Sequence, residues 1–144
     1  MRAEAQTPPG GFELHEARSA FMDHNGPVYR KGTGHDLVMG TFITEKHANH
    51  SGVAHGGFLA TLADAAMGYA YATLTDPPGG ALTIHLAIDY SGVARLGDWV
   101  ESKVDIQREE GRIKFLNVFL VCNGKRIARA SGIFAGNREN RQSF

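Results

Sequence analysis

The 144-residue sequence predicts an α+β domain in which a curved antiparallel sheet wraps around one long apolar helix. Two observations carry that expectation. Residues 49–70 pass from polar and glycine residues into a helix-compatible apolar run that holds a single acid, Asp64. Beyond Asp76-Pro77-Pro78-Gly79-Gly80 the apolar period changes to two, and four strand-like segments follow, separated by turn signals. A helix that is apolar nearly all round belongs inside its fold, and one sheet curved about it would cover it.

The elements read in order as follows. Residues 12–24 have Phe12, His15, Ala17, Ala20 and Phe21 at mixed helical spacings and predict a short helix, which Asn25-Gly26-Pro27 ends. Residues 28–31 are extended, 32–34 a turn and 35–45 a strand, in which Leu37, Met39, Thr41 and Ile43 alternate with Val38, Gly40 and Phe42. A polar loop over 46–54 leads to the long helix, expected from Gly56 or Gly57 to about Leu74. The strand over 81–90 alternates Leu82, Ile84, Leu86, Ile88 and Tyr90 against Thr83, His85, Ala87 and Asp89. After a loop over 91–98, residues 99–107 form a strand with one wet face, and 112–122 a strand apolar on both faces. Asn123-Gly124 is a hairpin turn signal, and 125–135 is the last strand.

Composition narrows the function. Lys plus Arg and Asp plus Glu each number 15, so the formal net charge is zero and no global field points to nucleic acid or a membrane surface. The single cysteine, Cys122, excludes an intramolecular disulfide and fits a reducing compartment. No apolar run approaches the roughly 18 residues that would span a bilayer. Residues 1–11 lack the apolar core of a signal peptide and read as a flexible lead-in. One domain over 12–136 and a polar tail over 137–144 complete the expectation, which is of a soluble cytoplasmic protein.

Asp64 is the first candidate for chemistry. An ionised aspartate within an apolar helix costs several kcal/mol to desolvate without partners. It either faces a solvent gap, pairs with a structural cation, or performs catalysis. Thr61 and Gly68, at i−3 and i+4, are small and leave space in front of it, as a pocket requires. The second candidate is His55-Gly56-Gly57. Two glycines at a helix start let a ligand approach the backbone, and first-turn N–H groups lack intrahelical acceptors. Such donors can stabilise an oxyanion developing on a carbonyl. Gly56 and Asp64 are eight residues apart, about 12 Å along a helix axis. One helix can hardly bring both to one reacting carbon, so the spacing predicts a composite site at a two-fold interface, with two equivalent sites per dimer.

The pattern Asn49-x-x-Gly52-x-x-His55-Gly56-Gly57, with Asp64 on the following helix and four strands after it, resembles the hotdog-fold acyl-CoA thioesterases of the PaaI (phenylacetate-pathway) type. The likeness extends over roughly residues 36–136. It implies the hotdog fold, an acyl-CoA substrate, no metal or other cofactor, and a homodimer paired again into a homotetramer. By resemblance, Asp64 is the catalytic carboxylate, acting as general base or nucleophile, and the Gly56 N–H is the donor to the thioester carbonyl. Asn49 helps orient water or substrate, His55 shapes the loop at the helix start, and Thr83 lies close to the nucleophilic water. Gly68 stands where some aryl-CoA relatives place a hydroxyl. Hydrolysis is chemically coherent with so few groups: a carboxylate is ionised at neutral pH and can accept a proton from water, and a thiolate leaves readily.

Other residues point elsewhere. His47, His50 and His55 are close in sequence, but they offer neither thiolate nor a His-Glu-x-x-His helix for a metal. His47 and His50 read as solvated loop residues and His85 as a surface residue. Cys122 reads as a buried, inert thiol. Arg95, Arg138 and Arg141 are candidates for the phosphates of coenzyme A. The expected activity is hydrolysis of an aryl- or short- to medium-chain acyl-CoA. The alternatives are a non-catalytic acyl-CoA sensor, or a hydratase or dehydratase of acyl thioesters on the same fold.

Overall fold

The computed structural model describes residues 5–17, 19–108 and 110–136. The remainder of the polar tail, including Arg138 and Arg141, lies outside the described residues. Seven strands form one antiparallel sheet: β1 (Glu13–Leu14), β2 (Tyr29–Lys31), β3 (Val38–Phe42), β4 (Ala81–Tyr90), β5 (Trp99–Arg108), β6 (Ile113–Cys122) and β7 (Lys125–Gly136). Among the described residues two α-helices accompany it, the short α1 (Ala20–Asn25) and the 17-residue α2 (Gly56–Ala72). The sheet order is β1-β2-β3-β5-β6-β7-β4, so β4 leaves the helix, pairs with β7 at the edge, and returns by residues 91–98 to β5 on the other side.

The helix packs its wide apolar face on the sheet. Phe58, Leu59, Leu62, Ala63, Ala66, Met67, Ala70 and Tyr71 are buried against Val100, Leu116, Val118, Leu120 and Phe134. Burial is nevertheless less uniform around the helix than its composition suggests. Thr61, Asp64, Ala65, Gly68, Tyr69 and Ala72 are half-buried and Gly57 is exposed, which leaves one stripe of mostly small residues open. The sequence pattern cannot separate this stripe from the core, because alanine and glycine serve both.

The N-terminal helix expected over 12–24 is shorter than its spacing suggests. Glu13 and Leu14 are drawn into β1 by pairing with Arg30 and Tyr29, and the pairing is reinforced by a 3.1 Å ion pair between Arg30 and Glu13. The helix begins only after Ser19, whose Oγ accepts the Met22 N–H at 3.4 Å. The strand expected over 35–45 is trimmed to Val38–Phe42 by 3₁₀ turns at Gly34–Asp36 and Glu45–His47. The hairpin between β6 and β7 forms on Asn123 and Gly124, with φ of 51° and 75°, as a type I′ turn requires.

Strand β4 departs from simple alternation. Its register with β7 shifts between Thr83, opposite Phe134, and His85, opposite Ile133, so Ile84 sits in a β-bulge. The bulge exchanges the two faces of the strand. Thr83 therefore points to the same side as Leu86 and Ile88, which pack on the core, while Leu82 and Ile84 remain 59% and 53% exposed.

Candidate active site

Asp64 sits on the open stripe of α2, at the middle of the helix. Thr83 Oγ1 donates a 2.8 Å hydrogen bond to Asp64 Oδ1, and the β4 bulge is what aims Thr83 at the helix. Both residues line a cavity of about 270 Å³ that Gly68, Ala65 and Ala72 keep open on the helix side and Phe134 closes on the sheet side. A Cβ at Gly68 would lie 3.5 Å from the Phe134 ring, an ordinary contact, so the missing side chain adds directly to that space. The site thus offers an acid that is half-exposed and fixed through one oxygen, the other having no partner among the described residues.

The helix start is built by a different set of residues. His55 is the N-cap, and its Nδ1 accepts the Gly57 N–H at 3.0 Å. Gly57 is therefore not a free donor; its amide completes the cap, and a Cβ there would press on the His55 ring at 3.2 Å. The carbonyl of the same peptide, Gly56 O, accepts from the Tyr90 hydroxyl at 2.5 Å. With both ends of the 56–57 peptide bonded, the preceding peptide is held as well, and its Gly56 N–H has no partner among the described residues. Gly56 is needed for a second reason: a Cβ would meet the Tyr90 ring at 3.3 Å. Sequence reasoning does not single out Tyr90, because at the end of an alternating strand it reads as one more apolar residue. Partial burial raises its pKa above the ordinary phenol value, so the hydroxyl, already protonated at neutral pH, stays a donor.

Asn49 organises the loop before the helix. Its Oδ1 accepts the N–H of Ser51 at 2.9 Å and of Val53 at 3.4 Å, forming an Asx turn that leaves its amide N–H donors available. Residues 91–98 dock on this loop: Ala54 N–H donates to Ala94 O at 2.8 Å, and Arg95 pairs with Val53 in an isolated bridge. The exposed Arg95 is thus brought beside the helix start. Thr61 lies on the open stripe, with its hydroxyl proton given to Gly57 O at 3.0 Å.

His47 corrects the sequence reading. It is 1% exposed and stacks on Phe58 with ring centroids 4.0 Å apart. Its Nδ1 accepts from the Thr44 N–H at 3.1 Å, which places the proton on Nε2, and Nε2 donates to Asn25 O at 2.6 Å. Burial lowers its pKa below the ordinary histidine value. The ring is a neutral structural pin that ties the 46–54 loop to α1, and its backbone carbonyl takes the His55 N–H at 2.8 Å. A polar residue in a polar loop gives no sequence signal for that burial. His50 and His85 are exposed. Cys122 is buried, and burial together with Asp98 pushes its thiol up to about 11, so it is not a nucleophile at neutral pH.

The expected site residues therefore fall into two groups. Asp64, Thr83 and Gly68 share a cavity, while Gly56, His55, Gly57, Asn49 and Arg95 surround the helix start. The separation of the groups along α2, about 12 Å from Gly56 to Asp64, remains as the spacing implied.

Residues 51–126 match the thioesterase superfamily. The chain belongs to that family, a class of hotdog-fold thioester hydrolases, and its seven-stranded sheet around one long helix is the hotdog arrangement. It is 40% identical over 127 residues to a Pseudomonas aeruginosa protein named as a candidate esterase, covering 88% of this chain and 95% of that one. In structure it is similar to a mutant of the phenylacetic acid degradation protein PaaI of Thermus thermophilus, at 27% identity and a TM-score of 0.72, covering 81% of this chain and 98% of that one. A hypothetical thioesterase of Streptococcus pneumoniae, solved with coenzyme A, has the same fold, at 21% identity and a TM-score of 0.70 over 76% of this chain and 88% of that one. Among the described residues no helix is long and apolar enough to cross a membrane.

Proposed function

We propose that the chain hydrolyses the thioester of an aryl- or short- to medium-chain acyl-CoA, with Asp64 as the base or nucleophile. The observation that carries this reading is the Thr83–Asp64 hydrogen bond at the mouth of a cavity lined by small and aromatic side chains. A carboxylate held there, with no cation beside it among the described residues, has both a defined orientation and a free oxygen. In the general-base route, water attacks the carbonyl carbon and gives its proton to Asp64. The oxyanion of the tetrahedral intermediate accepts from a Gly56 N–H, the C–S bond breaks, and the proton passes to the departing thiolate. The relatives named for PaaI and for coenzyme A support this substrate class.

In this reading the Gly56 donor comes from a second copy of the chain, because one helix cannot present both groups to one carbon. Two features support the partner. The open stripe of α2 offers a surface of small residues for a second helix, and β4 is an edge strand carrying exposed Leu82 and Ile84. Unpaired apolar edges invite pairing with another chain. Asn49 and Arg95, grouped at the helix start, would then face the substrate of the partner's cavity, with Arg95 toward the coenzyme A phosphates. A dimer of dimers completes the proposed assembly, and neither a metal nor an organic cofactor enters the reaction.

The test is turnover of a panel of acyl-CoAs, read by thiol release, with wild type and Asp64→Ala. Loss of a positioned base should lower kcat by about 10²–10⁴-fold. An Asp64→Ala protein as fast as wild type would remove Asp64 from the chemistry, and acyl-CoA binding without turnover by wild type would favour a sensor.

A further inference from the structure

We propose that His15 and Met22 form the end wall of the acyl cavity and set the length of acyl group the site takes, an inference that rests on the thioesterase reading above. Both residues line the 270 Å³ cavity that holds Asp64 and Thr83. Both also line a second cleft, of about 480 Å³, bounded by Leu14, Pro27, Val28 and Lys46. The same two side chains thus separate a small cavity at the carboxylate from a larger space beyond it.

The wall is held in place by ordinary packing. His15 is fixed through its backbone, whose N–H donates to Val28 O at 2.8 Å, and its ring stands edge-on to Tyr69 with centroids 4.6 Å apart. Its Nδ1 is buried with no partner among the described residues, so no hydrogen bond at that atom resists removal of the ring. Met22, on α1, is partly buried against the core and presents a flexible thioether, a side chain suited to closing an irregular gap. Both residues precede the stretch over 51–126 that matches the family, so the wall belongs to a part of the chain outside that match.

Size gives the consequence. Pockets for drug-sized ligands run to about 300–1,000 Å³, and the cavity at Asp64 falls below that range. On one chain alone, the wall leaves room at Asp64 for a short chain or a single ring. Joined to the cleft behind the wall, it would lie well inside the range and hold a longer chain.

The experiment is a homologous series of straight-chain acyl-CoAs, from acetyl to palmitoyl, assayed with wild type, Met22→Ala, His15→Ala and Met22→Phe. Each buried methylene is worth about fourfold in kcat/KM until the cavity is full. Wild type should rise and then fall early in the series. Met22→Ala and His15→Ala should move the peak to longer chains and raise the long-to-short ratio of kcat/KM by about tenfold or more, whereas Met22→Phe should move the peak to shorter chains. A peak at the same chain length in all the variants that fold overturns the inference. The same series is titrated calorimetrically against Asp64→Ala, with and without Met22→Ala. If wild type hydrolyses neither any member of the series nor an aryl-CoA, the thioesterase reading fails, but a chain-length optimum for affinity that moves with Met22→Ala still supports the wall. An unmoved optimum, or no binding of any member, overturns it.

Discussion

At the scale of single residues, the hydrogen bond from Thr83 to Asp64 has the largest consequence for the proposed reaction, in which it orients the acid and the second oxygen meets water. A hydrogen bond to a charged group contributes about 1.5–3 kcal/mol, equivalent to about ten- to hundredfold in rate where it fixes a reacting group. Thr83→Val should therefore lower kcat by that factor with a small change in KM, and Thr83→Ser should restore most of it. Steady-state kinetics on one good acyl-CoA substrate checks this; an unchanged kcat in Thr83→Val would show that the bond does not position the base. The sequence singles out Asp64 as the one acid of an apolar helix. The buried position that made it costly is not what the fold gives it: Asp64 is half-exposed on the open stripe, so its use in the reaction stays part of the proposed function. Thr83 is not legible from alternation alone. Strict period two puts it on the face opposite Leu86 and Ile88, and only the bulge at Ile84 reverses that. Tyr90 and His47 are invisible for a related reason, since their roles depend on which distant backbone group lies opposite, here Gly56 O for one and Asn25 O for the other.

At the scale of elements, the long helix and the four strands after it are where the period of apolar residues says they are, and α2 begins at Gly56 as its glycine-rich start implies. The segments before the helix are less readable. Two-residue and three-residue strands carry too few side chains to show a period, so β1 and the short α1 merge into one apparent helical pattern. These short pieces are held by long-range pins, among them the buried His47, and that has a pH consequence. The folded-state pKa of His47 is lowered by burial, and that of His15 by burial and by Arg30. Below the ordinary histidine value of 6.5 the unfolded chain takes up protons that the folded chain resists. The histidine contribution to stability is thus fully present above that pH and is lost as pH falls through the folded-state values. Urea unfolding should show a midpoint that is level above about pH 7 and declines below about pH 6.5. A midpoint unchanged down to about pH 5.5 would mean that the two rings are not held neutral by the fold.

At the scale of the whole molecule, the proposed reaction draws on two groups that one copy of the chain holds about 12 Å apart. The carboxylate lies on the open stripe of α2, and the Gly56 N–H, without a partner among the described residues, lies at its start, with edge strand β4 uncovered beside them. A second copy related by a two-fold axis would meet both surfaces and complete two sites. The backbone donor can be removed without touching the carboxylate. Gly56 occupies the first helical position, where proline is well tolerated, and His55 before it has φ −62° and ψ 135°, a conformation compatible with a following proline. Gly56→Pro therefore deletes the N–H, and Gly56→Ala, which keeps it, controls for the added Cβ against Tyr90. The most direct measurement is acyl-CoA hydrolysis by Gly56→Pro alone, by Asp64→Ala alone, and by the two unfolded and refolded together in equal amounts. Each alone should be nearly inactive. The mixture should recover about one quarter of wild-type activity, because half of the dimers are mixed and each mixed dimer has one intact site of two. A mixture as inactive as its components, with mixed dimers shown to have formed, would contradict a site shared between two chains.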